Sequence, residues 1–206
     1  MNMPEYLNEI EHAATETLRL VWSEQEHYEA LQTKLVALGA QIADTNERIA
    51  WLQANPDLDD DLQSTAMYWE SYFGPEKEAS YADAQKRDLE ALIAARRFST
   101  DAQCGNILQY AKQGISLVHR GLNLCPDGRH IGSLHVKNVI WQSRNQAIHW
   151  DEGRFTQPVR DVFEALARDL DPKFNSYTSK NMAFEVVNLL GWRGFPEFER
   201  DMRSLG

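Results

Sequence analysis

Three polar residues suited to proton transfer and phosphate binding lie close together in the sequence: Arg144, Asn145 and His149. A histidine imidazole can accept or donate a proton near neutral pH. An arginine guanidinium presents a fixed fork of donors that matches phosphate oxygens as negative charge builds on them. Neither role requires a metal ion. Arg144 and His149 are therefore candidate catalytic residues, with Asn145 orienting the phosphate or the imidazole through hydrogen bonds, and we expect no metal or other cofactor.

The segment that carries these residues is predicted to be a helix from Ser133, a candidate N-cap, to about His149. On an ideal helix of about 100° per residue, apolar side chains cover one broad arc and a narrow polar strip lies opposite. The strip holds imidazoles and amides but no carboxylate and no lysine, so it suits contact with another polar surface or an oxygen-rich ligand. The members of this polar strip are His135, Asn138, Gln142, Asn145 and His149.

Arg144 and His149 do not share a face of a straight helix, because residues five apart point about 140° from each other. Asn145 and His149, four apart, do align. Two arrangements would reconcile the spacing with a common site: the helix unwinds before His149, or a two-fold axis brings together the motifs of two copies. In a plainer structural interpretation, Arg144 extends from the core and His149 caps the helix end.

The segment Arg144-Asn145-Gln146-Ala147-Ile148-His149 resembles the signature of the HEPN superfamily of all-α domains. Those domains carry an arginine, then a polar residue that is frequently asparagine, and a histidine after a short spacer. The similarity covers about residues 80–170. It implies a metal-independent endoribonuclease in which the 2′-hydroxyl attacks the adjacent phosphate, leaving a 2′,3′-cyclic phosphate and a 5′-hydroxyl. It also implies a homodimer with a composite site, and a toxin or antiphage or stress-defence role restrained by an antitoxin or regulatory partner.

Three further residues are candidates for contact with the RNA substrate. His135 and Gln142 belong to the polar strip, and Arg129 lies in the loop before it. The run Trp150-Asp151-Glu152 follows His149 directly. A carboxylate there could hold an imidazole tautomer, but a simple loop charge is the favoured interpretation.

Two other functions fit the same residues. In the first, a HEPN-like but non-catalytic helical module uses the polar strip to bind a nucleotide or a partner protein, and the acidic first helix is the docking element. The net charge of −10 favours it. In the second, a coiled-coil scaffold carries the motif by coincidence.

Charge is distributed unevenly along the 206 residues. Residues 1–100 contain 8 basic and 19 acidic residues, whereas residues 101–206 contain 13 and 12. Within residues 112–160 there are seven bases and three acids. An acidic chain does not hold nucleic acid by bulk charge. We therefore expect any grip on RNA to be local and confined to the second half.

A single long helix is predicted over residues 5–53, which contain one glycine and no proline. A heptad repeat places an apolar or aromatic residue at every a position, whereas the d positions are mixed. Such a stripe needs a partner helix, either from later in the chain or from a second copy. We assign residues 1–56 to this oligomerisation or docking element and residues 57–206 to a HEPN-like helical domain with a C-terminal helical tail. The a positions are Leu7, Ala14, Val21, Tyr28, Leu35, Ile42 and Ile49.

The fold class expected is all-α, a bundle of about seven helices with a HEPN-like four-helix core. No segment shows the two-residue alternation of a strand, so no sheet is expected. An aromatic cluster within residues 67–73 is interpreted as core or interface rather than as a base-stacking platform. The shorter helices are predicted over residues 62–73, 80–97, 100–119, 133–149, 156–170, 180–190 and 196–203.

The two cysteines, Cys104 and Cys125, lack the spacing of a zinc site or a redox pair. No apolar run is long enough for a membrane span. We expect a soluble cytoplasmic protein with reduced thiols and no membrane partner.

Overall fold

The computed structural model describes residues 1–54 and 74–206. The predicted all-α class is confirmed, because six α-helices hold most of these residues. The predicted helix over residues 62–73, with its aromatic cluster, lies outside the described residues. Within the described ranges, no helix combines the length and the apolar character that a membrane crossing requires. The helices are α1 (Met3–Ala54), α2 (Pro75–His119), α3 (Val136–His149), α4 (Gln157–Asp169), α5 (Ala183–Leu190) and α6 (Phe195–Arg203). Short 3₁₀ segments cover Leu122–Leu124, Trp150–Glu152 and Pro172–Thr178.

The expectation of separate helices over residues 80–97 and 100–119 is wrong, because α2 runs through both without a break. The sequence between Glu76 and Gln103 has no glycine or proline to end a helix. Thr100, which we expected to begin the second helix, is fully buried inside the continuous one. A polar residue with capping propensity is therefore used here as a core residue.

The start of α5 also differs from the prediction. We expected a helix from residue 180, but the 3₁₀ segment before it ends at Thr178, and α5 begins at Ala183. The Asn181 side chain accepts a hydrogen bond from the Ala183 backbone N–H at 2.9 Å. The far end agrees with the prediction, since Gly191 ends α5 with a φ of 71°, in the left-handed region that glycine favours.

A short antiparallel hairpin precedes α3, so the expectation of no sheet is wrong. Strand β1 (His130–Ile131) pairs with strand β2 (Leu134–His135). Strands of two residues are too short to show alternation in a sequence. The turn needs Gly132, whose φ is 60° and whose added Cβ would lie 3.0 Å from Asp169 Cβ.

Ser133 occupies this turn and is not the N-cap of α3. Its backbone N–H and its hydroxyl both donate to Asp169 Oδ2, at 2.9 and 2.5 Å. The helix begins three residues later, at Val136, with the extended residue His135 in the N-cap position. A serine that would suit a helix cap is thus used to join the turn to α4.

The Asp169 carboxylate makes the stability of this hairpin dependent on pH. Hydrogen bonds from the Ser133 hydroxyl, then from Arg168 and the Ser133 N–H, lower the pKa of Asp169 to about 2. Because the pKa is lower in the folded chain, its stabilising contribution is complete above the unfolded value of about 4 and disappears as the pH falls towards 2. We expect the urea midpoint of the wild type to fall more between pH 4 and pH 2 than that of Asp169→Asn. The exposed Asp161→Asn is the control, and equal pH dependence in wild type and Asp169→Asn would contradict the prediction.

The chain divides into two compact units. The first comprises residues 1–25 and 98–206, and the second comprises residues 26–97. This division differs from the boundary predicted at residue 56, because the start of α1 is built into the first unit. There the Tyr6 hydroxyl donates to the Tyr110 carbonyl at 2.6 Å, and Trp22 Nε1 donates to the Trp192 carbonyl at 2.9 Å.

The first unit has one hydrophobic core, to which α3 contributes from its middle. Val139 and Ile140 are fully buried, and α3 packs against α4 and α5. The heptad stripe of α1 enters the same core through Leu7, Ala14 and Val21. Burial of α3 on these sides leaves Arg144 and Asn145 to meet α2.

The second unit contains residues 26–54 of α1 and, in its described part, residues 75–97 of α2. The stripe predicted in α1 is less exposed than its neighbours here, and Leu38 is buried. Arg48 Nη2 lies 3.4 Å from Glu78 Oε2, which links the two helices. In this unit, α1 and α2 of the same chain therefore contact each other.

Candidate functional site

Arg144 and Asn145 both reach from α3 to α2. Arg144 Nε donates to Gln109 Oε1 at 2.5 Å, and Lys112 Nζ donates to Asn145 Oδ1 at 2.7 Å. Gln109 and Lys112 lie three residues apart and therefore on one face of α2. The two helices thus place an arginine, a lysine and two amides in one half-buried cluster.

Asn145 is the centre of this cluster. Its Nδ2 donates to Gln142 Oε1 at 3.1 Å, while its oxygen receives the Lys112 ammonium. The same ammonium lies 4.5 Å from the centroid of the Trp141 ring, within the range of a cation–π interaction. Two predicted site residues, Asn145 and Gln142, are therefore brought together, and both have fixed orientations.

The cluster contains two positive charges and, among the described residues, no carboxylate paired with either. Burial lowers the pKa of Lys112, and the nearby positive charge of Arg144 lowers it further. Burial also lowers the pKa of Arg144. Each guanidinium or ammonium loses water here without gaining a counter-charge, which costs free energy.

His149 lies at the exposed end of α3. The helix continues through His149 and does not unwind before it, so the first of the two arrangements expected for Arg144 and His149 is absent. His149 Nδ1 lies 2.6 Å from Glu152 Oε1, and both side chains are about half exposed. Glu152 is therefore a partner of the imidazole, which corrects its interpretation as a simple loop charge.

The structure does not bring the guanidinium of Arg144 and the imidazole of His149 into contact within one chain. Arg144 donates to Gln109 on α2, whereas His149 contacts Glu152 in the 3₁₀ turn after α3. Asn145 lies one helical turn before His149, on the same face of α3. The motif therefore forms two half-sites on adjacent parts of α3. One contains Arg144 and Asn145, and the other contains His149 with its partner Glu152.

His135, predicted as a member of the polar strip, does not lie on α3 with the other members. It lies in β2, before α3 begins, with its ring 4.4 Å from that of His130 and its Nε2 3.8 Å from Asp127 Oδ2. The expectation that His135 shares a helix face with His149 is wrong, because the chain is extended at His135.

Arg129 has a structural partner. Its Nε and Nη2 donate to the two oxygens of Asp201, at 2.6 and 2.8 Å, and Nη2 also donates to the Leu190 carbonyl at 2.7 Å. Asp201 is buried. These contacts occupy Nε and Nη2 of the guanidinium, and they connect the loop before the hairpin to α5 and α6.

Gln146, within the motif, is a structural residue. It is fully buried. Its Nε2 donates to the carbonyls of Tyr177 and Lys180, and its Oε1 accepts from the Met182 N–H at 3.0 Å. The amide thereby fixes the connection before α5 against α3.

Sequence reasoning did not assign four residues that the structure adds to the site: Gln109, Lys112, Trp141 and Glu152. The spacing of Gln109 and Lys112 is that of residues on one helix face, and Lys112 is the first base of the base-rich residues 112–160. No local pattern indicated which part of α3 that face would meet. Among the described residues, no group of three histidine, cysteine, aspartate or glutamate side chains is placed to hold a metal ion.

Comparison of the chain with protein-family models, with curated proteins and with solved structures finds no match. The function of the site is therefore inferred from its own side chains. These are an imidazole paired with a carboxylate, an adjacent amide, and two half-buried cations that no carboxylate of the described residues pairs with.

Proposed function

We propose that this chain is a metal-independent endoribonuclease of the HEPN type, which acts as a cytoplasmic homodimer. The observation that supports this most is the pairing of His149 with Glu152 one helical turn after the Arg144–Asn145 half-site. A carboxylate beside an imidazole fixes its tautomer and orientation. A guanidinium without a carboxylate partner retains donors for a phosphate.

The proposed reaction uses the 2′-hydroxyl of RNA as its nucleophile. When His149 Nδ1 donates to Glu152, the free lone pair is on Nε2, which takes the proton of the 2′-hydroxyl. The 2′-oxygen then bonds to phosphorus and the bond from phosphorus to the 5′-oxygen breaks, and this oxygen takes a proton from water. Arg144 stabilises the negative charge that builds on the phosphate oxygens. The products are a 2′,3′-cyclic phosphate and a 5′-hydroxyl.

The proposed dimer accounts for the separation of the half-sites. Because α3 is regular up to His149, the arrangement that remains is a composite site, in which Arg144 of one copy faces His149 of another across a two-fold axis. The mass in solution tests this directly. We expect twice the chain mass of 23.7 kDa, and a fully active monomer would contradict the composite site.

The first experiment is RNA cleavage in the presence of EDTA. A pool of transfer and messenger RNA is incubated with the purified chain, with and without the chelator, and the fragments are separated by size. Equal cleavage in both conditions is expected, since proton transfer and charge stabilisation come from side chains. Loss of cleavage in EDTA would overturn the metal-independent mechanism. The RNA that is cut most efficiently would identify the preferred substrate.

The alternative is a non-catalytic module that binds a nucleotide or a partner protein. It is favoured by the Lys112–Arg144 cluster, which can attract an anion without any chemistry. Binding of an oligonucleotide without cleavage, in the same assays, would support this alternative over the ribonuclease. The ribonuclease proposal includes an antitoxin or regulatory protein as a partner.

A further inference from the structure

The half-buried basic residues of the first unit differ in how their charges are balanced. Lys137 Nζ lies 2.7 Å from Asp127 Oδ1, and even the more exposed Arg129 is paired with the buried Asp201. Lys112 and Arg144, by contrast, have no carboxylate partner in the part of the chain that the structure describes, and they lie close enough to repel each other. Among the half-buried lysine and arginine residues that the structure describes in the first unit, only this pair therefore has no carboxylate partner.

Lys112 and Arg144 also have unused hydrogen-bond donors. An ammonium has three donors and a guanidinium has five. In the described residues, Lys112 uses one on Asn145 and Arg144 uses one on Gln109. The side chains that hold them are neutral amides, which orient the two cations without cancelling their charges. Half-burial leaves the pair accessible from solvent while weakening its screening by water.

We propose that Lys112 of α2 and Arg144 of α3 together bind a phosphate group of a single-stranded nucleic acid, with Lys112 as a binding residue outside the motif. A bound phosphate supplies the negative charge that the pair lacks and accepts the unused donors of both side chains. The stem of Lys112 is held in place by Asn145 and by the face of Trp141. This inference deepens the proposed function, on which its RNA ligand rests, while phosphate binding itself requires no cleavage.

Binding is measured with a DNA oligonucleotide, which has no 2′-hydroxyl, at several salt concentrations, and separately with inorganic phosphate alone. Lys112→Gln is expected to weaken oligonucleotide binding about tenfold. It should also reduce the slope of log affinity against log salt by about 0.7, the value for one phosphate contact to a single strand. Lys112→Arg, which keeps the charge, should retain the slope. Lys137→Gln is the matched control, since this half-buried lysine already has a carboxylate partner, and it should leave the slope unchanged.

Inorganic phosphate separates a simple anion site from a nucleic-acid site. If phosphate shifts the Asn145 side-chain amide and Trp141 indole resonances in the wild type but not in Lys112→Gln, the pair binds phosphate itself. Equal oligonucleotide affinity and equal salt slope in wild type and a folded Lys112→Gln would overturn the inference. Wild-type binding without cleavage of RNA would remove the ribonuclease and leave this site in place. Cleavage of RNA by the wild type, together with the same salt slope in wild type and Lys112→Gln, would leave the ribonuclease in place and remove the phosphate site.

Discussion

Replacing His149 with alanine is expected to lower the rate of RNA cleavage by about 10²–10⁴-fold, the typical contribution of a positioned general base. The imidazole is exposed and paired with Glu152, so its removal takes away the proton acceptor without opening a cavity in the core. Arg144→Ala is expected to lower the rate by about 10²–10³-fold, because it removes stabilisation of the developing charge. Initial rates on one RNA, measured in EDTA, give both values.

His12→Ala is the matched control for this prediction. His12 is exposed on α1 and its loss should not alter cleavage. Thermal unfolding should also be close to that of the wild type for His149→Ala, which separates loss of chemistry from loss of fold. Cleavage retained by both His149→Ala and Arg144→Ala would rule out this site as the catalytic one.

Replacing Asp201 with alanine is expected to lower the free energy of unfolding by about 1–3 kcal/mol, the cost of leaving a buried hydrogen-bond donor without its acceptor. Asp201 accepts hydrogen bonds from Arg129 and, at 2.8 Å, from Trp192 Nε1. Its loss leaves the guanidinium and a buried indole N–H without their acceptor. Urea denaturation measures the difference.

Glu199→Ala provides the comparison for Asp201. Glu199 lies on the same helix, α6, and pairs with Arg203 near the surface, so its removal should cost less than about 1 kcal/mol. Equal losses for the two variants would contradict the structural role given to the Arg129–Asp201 pair. Selective loss of RNA affinity in Arg129→Gln, with stability intact, would restore the sequence-based prediction that Arg129 contacts RNA.

Features that depend on neighbouring residues could be predicted from the sequence. The stripe of α1 follows from residues seven apart, and the bounds of α4 and the end of α5 lie within one residue of those predicted. The break expected inside α2 was wrong because Thr100 is equally compatible with a cap and with a helix interior. Packing against the core decides between these two states, and a local sequence pattern carries no information about that packing.

The parts of the site that could not be predicted are contacts between residues distant in the sequence. Lys112 and Asn145 are 33 positions apart, and Gln109 and Arg144 are 35 apart. Which face of α2 meets Arg144 depends on how two helices pack, and several packings satisfy the same apolar stripe. Glu152 is close in sequence to His149, yet its role depends on the 3₁₀ turn that directs it back to the imidazole.

The ends of the RNA fragments provide the most direct measurement of the proposed chemistry. A short RNA with one preferred cleavage position is digested in EDTA, and the fragments are identified by mass spectrometry. The same RNA with a single 2′-deoxy nucleotide on the 5′ side of that position is digested in parallel. A 2′,3′-cyclic phosphate and a 5′-hydroxyl, with no cleavage at the deoxy position, are predicted. A 5′-phosphate product, or cleavage at the deoxy position, would contradict attack by the 2′-hydroxyl.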